Sequence, residues 1–258
     1  MDPLVDGLIH WQSPPQALEP NPDEVHLWRI DLALSATQLS ELERLLLPDE
    51  RERADRFQFA PDRARFVAAR AALRGLLGRY AGTAPELIKF NYGPHGKPAL
   101  CAETSAGDLR FNLAHSEQWA LCAVAWKREV GVDIEKVRAC VDFESIAKRL
   151  FSFREVGKLR ALPADARRGA FFVAWVRKEA YAKARGEGLG LLLNRFEVSL
   201  LPGEPAALLH AQWDQQESQR WTLFDLAVAA DHKAALAVEG SRWTPRYFGW
   251  EWPSYSLP

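Results

Sequence analysis

Cysteine is scarce in this chain. The three present among 258 residues, Cys101, Cys122 and Cys140, lie in apolar surroundings and show no C-x-x-C spacing. That argues against a disulfide framework or a cysteine zinc site and favours buried, reduced thiols acting as small hydrophobes. Long hydrophobic runs are missing as well, since eighteen uncharged apolar residues never follow one another, and no membrane span is expected. The opening stretch "MDPLVDGLIHWQSPP" has no basic segment leading into an apolar core, so no export leader is read there and the cytoplasm is the expected address. Nor is there an excess of charge of either sign. Lys and Arg number 33 against 34 Asp and Glu, a net charge of −1, so neither nucleic acid nor an anionic membrane is the default partner. A basic site, if present, must be local.

What is present is an ordinary globular composition, 48% hydrophobic, long enough for one large domain or two modest ones. Residues 1–22 carry five prolines and are expected to run extended, pinned by Trp11. "EVHLWRIDL" alternates as a strand, Leu39 to Leu47 reads as a short helix, and Asp62 to Tyr80 repeats apolar residues at helical spacing. "NYGPHGKPAL" is a turn, whereas "LRFNL", "WALCAVAW" and "VGVDIEKV" are strands. Helices follow, with Ser152 and Glu155 forming a capping box and a long helix running from about Asp165 to Arg185. "RFEVSLL", "WTLFDLAV" and "AALAVEG" return to strand before an aromatic tail. Both halves thus share an order of strand, helices and strands, and "HKAALAVEG" echoes "EQWALCAVAW". The chain is read as an internal duplication: an extended segment 1–22, an α+β half 23–128 and an α+β half 129–258, with a ligand cleft expected between them.

Inside "VGVDIEKV", Asp133 and Glu135 lie two residues apart, so on a strand their side chains share a face while Val132 and Ile134 take the other. Two carboxylates so placed repel unless a cation intervenes or one is protonated. In "FFVAWVRKEAYAKARGEG" the residues Phe172, Trp175, Val176, Glu179 and Lys183 fall on one helical stripe, which turns Glu179 and Lys183 toward the interior. Three carboxylates without His or Cys suit a hard, oxygen-seeking cation such as Mg²⁺ with open positions for phosphate oxygens; Mn²⁺ accepts the same ligands. Lys183 would offset charge on those phosphates.

Eight arginines between Arg51 and Arg79 face three acids, a local charge of +5 and a candidate anion site, although most are expected to be solvated. Lys97 stands on the "GPHGKP" turn and His115 directly past a strand end. "GEGLG" follows a helix, so it is neither a dinucleotide fingerprint nor a phosphate loop, and Gly186 or Gly188 reads as a helix cap.

Taken together, "GPHGKPAL", "FNLAHS", "GVDIEK" and "FFVAWVRKEAYAKARGEGLG" resemble the Sfp-type 4'-phosphopantetheinyl transferases, whose pattern G-[IV]-D-x-E then W-x-x-K-E-[AS]-x-x-K is matched at Gly131, Asp133, Glu135, Trp175, Lys178, Glu179 and Lys183. The resemblance implies a monomer of two similar α+β halves related by a pseudo-two-fold axis, with coenzyme A between them. It implies Mg²⁺ on Asp133, Glu135 and Glu179 and phosphate contacts from Lys183. Lys97 would seat the nucleotide, His115 would meet the 3'-phosphate, and Arg53 would also bind coenzyme A. The serine of an apo acyl or peptidyl carrier protein would attack the β-phosphate and release 3',5'-ADP, with Glu179 as candidate base. Two departures stand out. Ala114 replaces the first serine of N-x-S-H-S, so a hydroxyl contact near the 3'-phosphate is expected to be missing, and Glu50 replaces a basic residue of some relatives. Two other readings remain open on the residues alone: a Mg²⁺-dependent nuclease or phosphodiesterase, and a binding module using the aromatic tail.

Overall fold

The computed structural model describes residues 4–5, 8–18, 21–101, 106–188 and 192–252. Pro3, Pro20 and Gly190, which entered the expectations above, lie outside them. A two-stranded hairpin, β1 (Leu4–Val5) with β2 (Leu8–Ile9), comes first. The first half then runs β3 (Glu24–Asp31), α1 (Ala36–Leu42), α2 (Pro48–Asp55), α3 (Ala60–Ala81), β4 (Phe90–Tyr92), β5 (Pro98–Leu100), β6 (Leu109–Ser116) and β7 (Trp119–Trp126). The second runs β8 (Val130–Lys136), α4 (Phe143–Leu150), α5 (Phe153–Ala161), α6 (Ala164–Arg185), β9 (Phe196–Val198), β10 (Leu208–Ala211), α7 (Glu217–Arg220), β11 (Trp221–Asp225) and β12 (His232–Glu239). A last strand, β13, spans Thr244–Gly249.

The two halves repeat one topology. In the first, β3 pairs with β7 and β7 with β6; in the second, β8 pairs with β12 and β12 with β11, all antiparallel. Each half also carries one 22-residue helix, α3 or α6, and each of these ends on a glycine in the left-handed conformation, Gly82 or Gly186. A side chain resists that conformation, so glycine ends the helix and frees its amide to satisfy a terminal carbonyl. The echo between "EQWALCAVAW" and "HKAALAVEG" falls on β7 and β12, equivalent strands of the repeat.

One strand breaks the repeat. β13 pairs in parallel with β3, so the chain's end completes the sheet β13-β3-β7-β6 of the first half. Pro245 is tolerated there because β13 is an edge strand, where a missing amide costs no ladder bond. As far as Trp252, the described part of the aromatic tail is therefore packing, not an open surface. Phe248 is buried against Trp28, Trp250 packs on Trp28, and the Trp252 indole donates to the Asp31 carbonyl at 2.9 Å.

Alternation along the strands separates three cores. Val25, Leu27, Leu121 and Ala123 meet Val130, Val132, Ile134 and Leu236 between the two sheets. On the other face of the first sheet, Trp28, Ile30, Cys122 and Val124 meet α3; on that of the second, Ala235 and Ala237 meet α6. β6 and β8 are the adjacent outer strands where the sheets meet. The faces of β6 and β8 that point away from the central core both look toward the long helices.

Local expectations differ from the structure in a few places. The short helix begins earlier, at Ala36, where Ser35 and Gln38 form a capping box, and gives way to a 3-10 turn at Glu43–Leu45. "NYGPHGKPAL" is a turn only over residues 93–97; its ends are strand, Asn91 and Tyr92 of β4 pairing with Ala99 and Pro98 of β5. All three thiols are free, but only Cys122 is buried; Cys140 is exposed, because it falls in the turn between β8 and α4 and not on a core face.

Candidate active site

The geometry starts from Gly131. A Cβ at this position would lie 2.2 Å from the Ala180 carbonyl and 2.3 Å from the Ala184 amide, so only glycine lets α6 lie directly on β8. That close approach brings the strand's carboxylates to the helix. Asp133 is 4% exposed, and the Lys183 ammonium donates to its Oδ1 at 2.5 Å. The second oxygen, Oδ2, is buried with no hydrogen-bond partner. Burial, and then the Asp133 charge, push both Glu135 and Glu179 above the usual carboxylate range, while Lys183 pulls each of them down. Desolvation would lower the Lys183 ammonium, yet Asp133, Glu179 and Glu135 together hold it above its ordinary value. The three acids expected from the sequence are thus electrostatic neighbours around one cation. Glu135 is further held by Trp175 and by Ser116, whose hydroxyl is 3.4 Å from its Oε2.

Among the described residues, no three His, Cys, Asp or Glu side chains stand close enough together to hold a metal ion as they are. The charge at the centre is the ammonium of Lys183. The donor set still fits a hard divalent ion, because it offers carboxylate oxygens only and one of them, Asp133 Oδ2, is buried without a donor.

A cleft of about 220 Å³ opens between α3, the β4–β5 hairpin and β6, near enough to the acidic group for its His115 to feel the charge of Lys183. Arg53, Arg70, Tyr92 and His115 line it, so two of the residues expected to bind coenzyme A share one cavity. Arg53 is exposed, with its guanidinium 5.4 Å from the Phe66 ring, and makes no salt bridge among the described residues. His115 lies at the surface end of the cleft; enclosure by its surroundings and then the charges of Lys183 and Arg65 hold its imidazole below its ordinary value.

The remaining arginines are mostly committed elsewhere. Arg63 pairs with Glu43 and Asp55, and Arg65 with Asp62 and Glu117. Glu50, expected to stand where it could disturb coenzyme A, is instead buried, 2.7 Å from Arg74 and 3.3 Å from Arg70, and accepts from the Leu47 amide at the start of α2. The anion site shrinks from a basic stretch to a few residues.

Lys97 is also placed differently from the expectation. Its ammonium donates to Glu129 at 2.8 Å, to the Val130 carbonyl at 3.3 Å and to the Ala184 carbonyl at 2.7 Å. A cation at the end of α6 answers both the helix dipole and an unpaired terminal carbonyl. Nothing in the "GKP" turn foretold that the three donors would be used inward. Ala114 likewise faces the central core beside Ile134 and not the cleft, because alternation on β6 sends it the opposite way from His115.

Lys178, part of the matched pattern, is fully buried and donates to both Glu155 oxygens at 2.8 Å and to the Phe196 carbonyl at 2.6 Å. Glu155 also accepts from the Ser152 and Val198 amides, so this lysine ties α5, α6 and β9 together. Its role is structural.

Comparison with known proteins bears on this arrangement directly. The sequence model "4'-phosphopantetheinyl transferase superfamily" matches residues 129–237, and "4'-phosphopantetheinyl transferase, N-terminal" matches residues 33–127. The 4'-phosphopantetheinyl transferase HetI of Nostoc sp. is 42% identical over 238 residues, 92% of this chain and 97% of that protein. The chain belongs to the 4'-phosphopantetheinyl transferase family. The transferase is also 32% identical to 4'-phosphopantetheinyl transferase Sfp of Bacillus subtilis, over 66% of this chain and 74% of that one. It is 28% identical to the human L-aminoadipate-semialdehyde dehydrogenase-phosphopantetheinyl transferase, over 77% of this chain and 70% of that one. Membership selects the enzyme among the three sequence readings, one that transfers phosphopantetheine to carrier proteins, with the α+β fold of the family. Among the described residues no helix is long and apolar enough to cross a membrane.

Proposed function

We propose that the transferase takes the 4'-phosphopantetheine group from coenzyme A and delivers it to a serine of an apo acyl or peptidyl carrier protein. A divalent cation, Mg²⁺ or Mn²⁺, would be held by Asp133, Glu135 and Glu179. The observation that carries this reading is the buried, unpaired Asp133 oxygen, set among Glu135, Glu179 and Lys183 near a cleft lined by Arg53 and His115. When bound, the cation supplies charge neutralisation at the diphosphate.

The chain's own residues do the rest. Arg53 and His115 bind the phosphate-bearing nucleotide end, and Lys183 turns from Asp133 toward the diphosphate oxygens. The carrier serine oxygen forms a bond to the β-phosphorus as the bond from that phosphorus to the bridging oxygen breaks. 3',5'-ADP leaves, and the serine proton passes to a carboxylate. Glu179 is the proposed acceptor, because burial and Asp133 raise its affinity for a proton. Lys97 serves the site from behind by fastening the hairpin that walls the cleft to the end of α6. A monomer in the cytoplasm is the proposed state and address.

The test incubates the enzyme with coenzyme A, Mg²⁺ and an apo carrier, and reads the phosphopantetheine adduct on the serine by mass spectrometry. Glu179→Gln should abolish the adduct while circular dichroism stays unchanged. Undiminished transfer by that variant would remove Glu179 from the site. Cleavage of a labelled oligonucleotide would revive the nuclease reading.

A further inference from the structure

β8 carries Asp133 and Glu135 on the outer edge of its sheet. One side of its backbone pairs with β12 residue by residue, while the other meets β6, itself the outer strand of the first sheet. No ladder joins these two edges, and an amide buried there without an acceptor is costly. Side chains supply the acceptors. Asn112 Oδ1 accepts from the Val132 amide at 2.9 Å, and Ser116 Oγ accepts from the Lys136 amide at 3.0 Å.

The spacing is the informative part. Asn112 and Ser116 stand four residues apart on β6, and their partners stand four apart on β8, so both contacts share one register and bracket the segment that carries the two acids. Both side chains are buried, and Ser116 also touches Glu135. His115 lies between them on the opposite face of β6, and Asn112 reaches the edge of the cleft that His115 lines. At the middle position Ala114 lies in the same core cluster as Ile134 with no oxygen to offer, so among the described residues these two side chains are the acceptors for the β8 backbone, and an Arg110–Glu129 pair at 3.0 Å stands beyond the end of the seam.

We propose that Asn112 and Ser116 are positioning residues for the transfer reaction. They fix the carboxylates of β8 at a set distance from the phosphate-binding end of β6, so that one molecule of coenzyme A reaches both. This rests on the reading of Asp133 and Glu135 as the acids at the diphosphate.

The variants Asn112→Leu, Asn112→Asp, Ser116→Ala and Asp133→Asn are assayed with coenzyme A and an apo carrier, alongside urea unfolding. Asn112→Leu loses the acceptor and should lower kcat at least tenfold while KM for coenzyme A stays within threefold, because the nucleotide end still binds. Asn112→Asp keeps an oxygen and should recover most of kcat. Ser116→Ala is the milder variant and should show the same split, several-fold in kcat, should Asn112→Leu fail to fold. Wild-type kcat in Ser116→Ala, or no recovery with Asn112→Asp at equal stability, would overturn the proposal. If Asp133→Asn is fully active, the underlying reading of the acids fails; if it is dead while Ser116→Ala behaves as wild type, only the seam proposal fails.

Discussion

Gly131→Ala is the sharpest probe of how α6 and β8 are joined. The new methyl would sit 2.2 Å from the Ala180 carbonyl, 2.3 Å from the Ala184 amide and 2.8 Å from the Ala184 Cα, where ordinary contact begins at 3.4 Å. These are backbone atoms of a 22-residue helix, so no rotamer change relieves the overlap, and the helix must retreat by about 1 Å. Overpacking of this kind costs about 1–3 kcal/mol, and each kcal/mol lowers Tm by about 2–4 °C in a chain of this size. The same retreat stretches the 2.5 Å contact between Lys183 and Asp133, so activity should fall beyond what instability explains. Gly169→Ala in the same helix is the control: its Cβ would meet nothing within 4 Å, and the change should stabilise by about 0.5–1 kcal/mol. Urea unfolding and the carrier assay measure both variants. If Gly131→Ala were as stable and active as the parent, the account of the glycine in "GVDIE" would be wrong.

Lys178→Met leaves Glu155 buried without its counter-charge and should cost about 3–5 kcal/mol by urea unfolding. His26 is held below its ordinary value by burial, despite the opposing pull of Glu24; its Nδ1 is 2.6 Å from the Tyr80 hydroxyl, and Arg246 also faces it. A depressed imidazole stabilises the fold above pH 6.5 and loses that contribution as pH falls through 6.5 and below, so unfolding free energy should drop on acidification, and His26→Gln should flatten that part of the slope. A thiol reagent should modify Cys140 at once and Cys122 only on unfolding, because burial pushes the Cys122 thiol up to about 12. Lys97→Met should lower Tm through the loss of three hydrogen bonds, without abolishing transfer.

Much of this architecture was legible in the sequence, wherever one periodicity governs a segment. The long helix expected over 165–185 is α6, and the strand alternation that put Asp133 and Glu135 on one face holds in β8. The Ser152–Glu155 capping box is present, since its partners are three residues apart. What escaped were features set by partners distant in sequence. β13 reads locally as a string of aromatics, and only the free edge of β3, some 220 residues earlier, makes it a strand. Lys97, expected to seat the nucleotide, and Glu50 and Ala114, expected as departures near coenzyme A, have their contacts elsewhere in this structure, because composition and motif say nothing of which way a side chain turns. Asn112 and Ser116 carried a signal, the period of two that sends them opposite His115, but their acceptor role needed the neighbouring strand to be seen.

The parallel pairing of β13 with β3 has a bearing on biogenesis. The first sheet cannot be completed until β13 has left the ribosome, so a nascent chain holding only the first half exposes the rim of β3 to any passing strand. Removing the last fifteen or so residues should therefore damage the half that was synthesised first, and a fragment ending near residue 128 would be prone to self-association.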